Sequence, residues 1–197
     1  ILLSHLASAD EDSPQNSAQL NLFRQQAKLV KAKRLSLANS AGIMLGRDFH
    51  FDLTRPGLAL YGGVPRTEMA SSIKPVVSLS SRVLQVRTLM AGDAVGYNAT
   101  HICTSPTKVA TISLGYADGY LRSFAGKGKL RADGVSIAII GRVSMDLVTA
   151  DVSALVDVGE GDWINVDYDL SRTAELTGLS QYELLTNLGQ RFERQWV

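Results

Sequence analysis

The sequence predicts an α/β segment followed by a mostly β domain, the first being the last part of a (β/α)8 barrel. Three observations predict this. Residues 1–72 alternate short apolar strands with helical stretches, a polar break spans Arg66 to Ser72, and short β-branched runs separated by turn residues follow Lys74-Pro75. The domain boundaries expected from them are 1–72 and 73–197.

Ile1 to Leu6 reads as a buried strand. From Ser17 onward, Leu20, Phe23, Ala27 and Val30 recur at helical spacing, with Arg24, Gln25, Lys28 and Lys31 on the other side. Leu35 to Leu37 is a second strand, and the Asn39-Ser40 turn leads into a short helix around Ile43 to Leu45. Phe51 to Leu53 is a third strand, followed by Arg55-Pro56-Gly57 and apolar Leu58 to Tyr61. A full eight-fold barrel takes about 250 residues, so this stretch supplies only its last two or three units.

Beyond Pro75, Val76 to Val86 alternates apolar and polar residues. Lys108–Ser113, Ser136–Ile140, Leu147–Val152 and Trp163–Val166 are short runs rich in β-branched residues. Ala91-Gly92-Asp93, Asp118-Gly119, Asp133-Gly134 and Gly159 to Asp162 mark turns between them. Such spacing predicts a compact β domain or small barrel. Lys127, Lys129 and Arg131 read as a solvated hairpin, and helices are expected around Arg172 to Leu176 and from Gln181 to about Phe192.

Composition narrows the function. Hydrophobic residues make up 45% of the 197 and charged residues 20%, ordinary values for a globular protein. A net charge of +1 gives no electrostatic reason for nucleic acid or an anionic membrane as partner. No apolar run reaches the roughly 20 residues of a membrane helix. The leading ILLSHLASADED lacks a basic leader and a cleavage site, so no signal peptide is expected. It also lacks an initiator methionine, and a chain that starts within a strand is expected to begin mid-domain. Cys103 is the single cysteine, which fits a reducing compartment and a cytoplasmic location. His5, His50 and His101 lack metal-ligand spacing, so no metal site is expected.

Several residues suit chemistry, each with a plainer alternative. In Thr54-Arg55-Pro56-Gly57-Leu58, proline fits the first turn of a helix and glycine admits a close backbone approach, so free N–H groups there attract an anion. Ser40 adds a hydroxyl. Alternatively, Pro-Gly only turns the chain and Ser40 only caps a helix. Arg55, at a strand end, can face a ring nitrogen or a carboxylate, or form a surface ion pair. His5 ends the first strand and can orient that arginine or simply satisfy its own hydrogen bonds. Tyr97 and Tyr116 follow glycines, but a phenol titrates near ~10 and needs a cation or hydrogen bonds to act as a base at neutral pH. Arg122 and Arg142 are available cations; the alternative is tyrosine as core or rim. A hydrolytic set of Ser4, His5 and Asp10 is disfavoured, because adjacent strand residues point to opposite faces.

SHLASADED, LANSAG, TRPGLALYG, VGYNATH, LGYADGY, GRVSMD and YELLTNLG together resemble the alanine racemase family in order and spacing, over essentially the whole chain. The resemblance implies a homodimeric isomerase with a pyridoxal 5'-phosphate barrel and a C-terminal β domain, serving D-alanine biosynthesis for peptidoglycan. It implies that Tyr97 takes the α-proton of L-alanine in the partner subunit's site. Met145 then contacts the substrate carboxylate through its backbone, with Asp146 beside it. Arg55 faces the pyridine nitrogen, supported by His5, while Ser40, Gly57 and Leu58 contact the phosphate. Asp10, Tyr116, Arg122 and Arg142 lie at the approach to the site. The family's Schiff-base lysine precedes all these motifs and has no counterpart here. The expectation is therefore a C-terminal portion that does not racemise alone and that pairs with a second copy or with the N-terminal portion. Racemases for serine, lysine or ornithine, and a non-catalytic β-rich binding module, are the alternatives.

Overall fold

Ser13 starts the first helix. Its hydroxyl accepts the Gln15 N–H at 3.2 Å, and Pro14 occupies the first turn, where a missing N–H costs nothing. This helix, α1 (Pro14–Ala27), begins three residues before the expected start and ends before Val30, which is exposed. The computed structural model describes residues 1–196 and divides into two units, Ile1–Val76 and one that begins at Val77.

In the first unit, β1 (Leu2–Leu3) runs parallel to β2 (Leu35–Ser36), with Leu2 opposite Leu35. The expected buried strand over Ile1 to Leu6 is a correction. Only Leu2–Leu3 pairs, Ile1 and Leu3 are exposed, and burial begins at Leu6. β1 has a partner on one edge only, so its side chains lack the layers that bury a central barrel strand. The third strand is also corrected. Phe51 has φ +51° and lies in a turn, and the extended contact shifts to a single parallel bridge between Asn39 and Arg55. The Asp52 carboxylate accepts the Leu35 N–H at 2.8 Å, standing in for the missing ladder. Leu6, Leu20, Phe23, Leu37 and Phe49 form the core, and Phe23 meets Phe51 edge-on at 5.1 Å.

The second unit contains a closed antiparallel barrel. Its strands are β3 (Leu79–Leu89), β6 (Thr107–Ile112), β7 (Lys129–Ala132), β8 (Val135–Ile140), β9 (Val148–Asp151) and β10 (Trp163–Val166), in the order β10-β3-β6-β9-β8-β7. β3 starts three residues later than expected and serves two neighbours. Leu79 to Arg82 pair with β10 and the rest with β6, where the register shifts between Val83 and Gln85. The charged stretch at Lys127 to Arg131 is more than a solvated hairpin, because Leu130 in β7 is fully buried between exposed Lys129 and Arg131. Closure removes free edges and packs Ile112, Phe124, Leu130, Ile137, Val148 and Ile164 inside.

A separate hairpin, β4 (Ala94–Val95) with β5 (His101–Ile102), rests on a satellite cluster of Leu89, Val95, Cys103, Val109 and Ile140. Two helices follow the barrel. α2 (Leu170–Thr177) is capped by Asp169, and α3 (Gln181–Thr186) by a reciprocal Ser180–Glu183 box. α3 was expected to reach Phe192. It ends at Thr186 because Asn187 and Gly189 pack on the Asp118–Gly119 backbone, with the Gly189 N–H bonded to the Asp118 carbonyl at 3.0 Å.

Candidate active site

In the first unit, polar bonds hold several of the candidate residues. Asn39 and Arg55 bridge, and the Arg55 N–H donates to the Ala38 carbonyl at 2.8 Å. The Arg55 guanidinium donates to the Ser4 carbonyl and to Ser36 Oγ, both at 2.6 Å, while Ser36 Oγ donates to the Leu53 carbonyl at 2.7 Å. Those bonds fix a permanent positive charge on a built scaffold. His5 does not share them. Its Nε2 lies 3.3 Å from Asn39 Nδ2, and Asn39 Oδ1 accepts the Gly42 N–H at 2.8 Å. The support for Arg55 thus comes from Ser4 and Ser36, with His5 connected through the neighbouring asparagine.

Ser40 is buried, and its hydroxyl oxygen accepts the Gly57 N–H at 2.8 Å and the Ala59 N–H at 3.3 Å. Gly57 (φ −126°, ψ −82°) precedes the single 3-10 turn Leu58–Tyr61, in which Leu58 is buried. Backbone donors and a hydroxyl therefore converge at this point, a donor set whose chemistry suits a phosphate. Asp10 is exposed on the turn after β1. Sequence reasoning missed the residue that holds that turn. The side chain of Arg66, nearly buried, donates to the Ala9 carbonyl at 2.9 Å, to Asp12 at 2.5 Å and to Glu68 at 3.0 Å. The hydrogen bond to Asp12, then that to Glu68, raises its pKa above the ordinary arginine value.

In the second unit, Tyr97 sits at the tip of the β4–β5 hairpin and is 71% exposed. Gly96, Asn98 and Ala99 have φ of +78°, +62° and +49°. For alanine that is a strained conformation, and such strain clusters at functional sites. The hairpin is locked onto the following loop. A Cβ on Gly96 would come within 2.9 Å of the Arg142 backbone nitrogen, and one on Gly141 within 2.9 Å of the Val95 carbonyl oxygen. Only glycines allow that approach, which sets the hairpin that carries Tyr97 against the Gly141–Arg142 backbone.

The Ser144–Leu147 turn closes on itself, since Ser144 N–H and Oγ both donate to the Leu147 carbonyl. The Gly115–Asp118 loop then docks on it. Tyr116 N–H donates to the Ser144 carbonyl at 3.0 Å and Ala117 N–H to the Met145 carbonyl at 2.9 Å. Met145 is exposed, with its side chain free of the core. Arg122 lies over the Tyr116 ring at 5.1 Å, a cation–π contact, while the side chain of Arg142 faces solvent. A further residue escaped the sequence reading. Arg191 contacts Asp146 at 2.6 Å and Asp118 at 3.2 Å.

Comparison with known proteins gives a consistent result. The profile of the "Alanine racemase, N-terminal domain" matches residues 1–65, and that of the "Alanine racemase, C-terminal domain" matches residues 76–196. A catabolic alanine racemase of Agrobacterium fabrum is 43% identical over 202 residues, covering 100% of this chain and 52% of the relative. An alanine racemase of Jannaschia sp. is 43% identical over 196 residues, covering 98% of this chain and 56% of the relative. Among solved structures, alanine racemase from Bartonella henselae with covalently bound pyridoxal phosphate superposes with a TM-score of 0.91 at 37% identity, covering 100% of this chain and 56% of that one. The chain spans about half the length of the curated relatives it matches. Its architecture is the end of the family's (β/α)8 barrel followed by the C-terminal β domain, and the chain belongs to the alanine racemase family.

Proposed function

We propose that this chain is the C-terminal portion of a pyridoxal 5'-phosphate-dependent alanine racemase that interconverts L- and D-alanine by a two-base mechanism. In this reading residues 1–72 end the cofactor barrel and residues 73–197 form the β domain. The observation that carries it is the strained Tyr97 hairpin locked by Gly96 and Gly141 onto the loop of Met145 and Asp146, in a chain 43% identical to alanine racemases.

When bound, the cofactor supplies an electron sink that acidifies the substrate α-carbon. Ser40, Gly57 and Leu58 would hold its phosphate, at the point where the Gly57 and Ala59 N–H groups meet the Ser40 hydroxyl. The Arg55 guanidinium would sit at the pyridine nitrogen and disfavour its protonation, because two adjacent cations repel. His5 steadies that end of the strands through Asn39. The Met145 backbone orients the substrate carboxylate with Asp146 beside it, and Asp10, Tyr116, Arg122 and Arg142 line the approach. The Tyr97 hydroxyl, as phenolate, accepts the α-proton of the L-enantiomer. The Schiff-base lysine serves the other face from the N-terminal portion, and Tyr97 and Met145 act in the site of the partner subunit of a homodimer. The 197-residue chain alone is then inactive.

Tyr97→Phe in the full-length enzyme tests the assignment. The ring's packing is kept and only the ionisable oxygen is lost, so racemisation should fall by about 10²–10⁴. Solvent-deuterium exchange of bound L-alanine should suffer more than that of D-alanine, since the lysine face is untouched. Equal loss on both faces, or unchanged racemisation, would remove Tyr97 from this role. In the isolated chain, borohydride should trap no stoichiometric pyridoxal phosphate adduct at any single lysine. One such adduct, mapped by peptide mass, would show that the cofactor anchor lies in this half.

A further inference from the structure

Three segments distant in sequence meet at one guanidinium. Arg191, beyond α3, donates from one terminal nitrogen to Asp146 Oδ1 at 2.6 Å, and its Nε lies 3.2 Å from Asp118 Oδ1. Asp146 belongs to the Ser144–Leu147 turn, and Asp118 to the Gly115–Gly119 loop. The two carboxylates differ in setting. Asp118 is buried, and its second oxygen accepts the Gly115 N–H at 2.8 Å, whereas the side chain of Asp146 is half exposed.

The backbones around this ion cluster leave no slack. A Cβ on Gly115 would come within 2.2 Å of the Met145 carbonyl oxygen, and one on Gly119 within 2.1 Å of the Asn187 carbonyl oxygen. The Ala117 N–H grips the Met145 carbonyl, and the Gly189 N–H grips the Asp118 carbonyl. Backbone contacts thus join the first loop to each of the other two segments. The Arg191–Asp146 bond ties the C-terminal segment to the Met145 turn directly. A planar fork can serve both carboxylates at once, where a lysine's point charge holds one.

We propose that Arg191 is a positioning residue. It locks the Met145–Asp146 turn against the Gly115–Gly119 loop, and so fixes the Met145 backbone that orients the substrate carboxylate. The second clause rests on the function proposed above, and the first does not.

Amide exchange in the full chain separates the two. Tyr116 and Ala117 donate to the Ser144 and Met145 carbonyls, so their exchange reports the docking of the turn, while Ala110 and Ile112 in β6 report the barrel. Arg191→Ala should speed exchange at Tyr116 and Ala117 by about 5–30-fold, the factor for losing one or two kcal/mol, with the barrel amides unchanged. Asp146→Ala should loosen the same two amides, and Arg191→Lys should recover part of the protection. Unchanged exchange at both amides, or equal acceleration throughout the barrel, overturns the clamp. In the full-length enzyme, Arg191→Ala should raise KM for alanine by more than it lowers kcat, with Arg191→Lys between wild type and alanine variant. Loosened amides with an unaltered KM would leave the clamp standing and overturn its role toward the substrate.

Discussion

The two units reach their order by different means. The second buries Ile112, Phe124, Leu130, Ile137 and Ile164 inside a barrel whose every strand has two neighbours. The first has a sheet of two strands, each two residues long, and it leaves Ile1, Leu3, Leu22 and Leu29 exposed. Yet its polar end is finished. Arg55, Ser40, Ser36 and Asp52 are each held by bonds of 2.6–2.8 Å to neighbouring strands or turns. A polar constellation can therefore be assembled from local side-chain-to-backbone bonds where hydrophobic closure is thin. Unpaired apolar sheet surface of that kind favours association with further chain.

The comparison predicts unequal costs for equal truncations. Phe124 is 1% exposed and stacks on Tyr120 at 4.0 Å, so Phe124→Ala should destabilise the second unit by about 3–5 kcal/mol. Phe23→Ala removes the same ring from a smaller and more open cluster, which can collapse around the loss, and should cost about 1–3 kcal/mol. Urea titrations followed by a probe in each unit would check this. Equal costs would mean that the first unit is as tightly closed as the second.

A second test separates a loop that only turns from one that also positions. Gly141 and Gly134 have similar φ, +72° and +77°, but a Cβ meets the Val95 carbonyl at the first and open space at the second. Gly134→Ala should cost about 1–2 kcal/mol from the left-handed backbone alone. Gly141→Ala adds the clash and should cost about 2–5 kcal/mol, with the Tyr97 hairpin displaced. Thermal denaturation and chemical shifts around Tyr97 would read both effects. A Gly141→Ala variant no worse than Gly134→Ala would break the link between the hairpin and the Met145 loop.

The same contrast governs what the sequence made legible. β10 matched its expected ends, and β6, β8 and β9 lay within a residue or so, because alternation in a closed barrel maps directly onto burial. In the first unit the third strand failed. Phe51, an aromatic residue of high strand propensity, takes positive φ, and an aspartate side chain substitutes for its ladder. The family motifs pointed to Tyr97, Arg55, Ser40 and Met145 by number, and the structure holds Arg55 and Ser40 in polar frames and sets Gly96, next to Tyr97, against Gly141 and Arg142. The contacts that hold them were invisible. Arg191 lies 45 residues from Asp146, and Arg66 lies 54 from Asp12; no periodicity links such pairs. His5 was expected to support Arg55 and contacts Asn39 instead.

The smallest predicted effect concerns two phenols in the core of the second unit. Burial raises the pKa of both Tyr120 and Tyr168 well above the ordinary tyrosine value, with the charges of Tyr168 and Asp167 adding to the shift at Tyr120. In the unfolded chain both titrate near ~10. The native state therefore retains phenolic protons that the unfolded state loses, and stability present below about pH 10 declines as pH rises past it. The two side chains differ in what they gain by folding. The Tyr168 hydroxyl donates to the Leu184 carbonyl at 2.8 Å, whereas the buried Tyr120 hydroxyl has no hydrogen-bond partner among the described residues. Tyr168→Phe should cost about 1 kcal/mol at neutral pH, and Tyr120→Phe should be neutral or stabilising by up to about 1 kcal/mol. Each should shallow the alkaline decline, and the double variant should remove most of it. Urea midpoints from about pH 8 to pH 11 would measure this. A wild-type midpoint that stays level above pH 10, or a decline of equal size in both units, would show that the closed barrel does not set the alkaline limit.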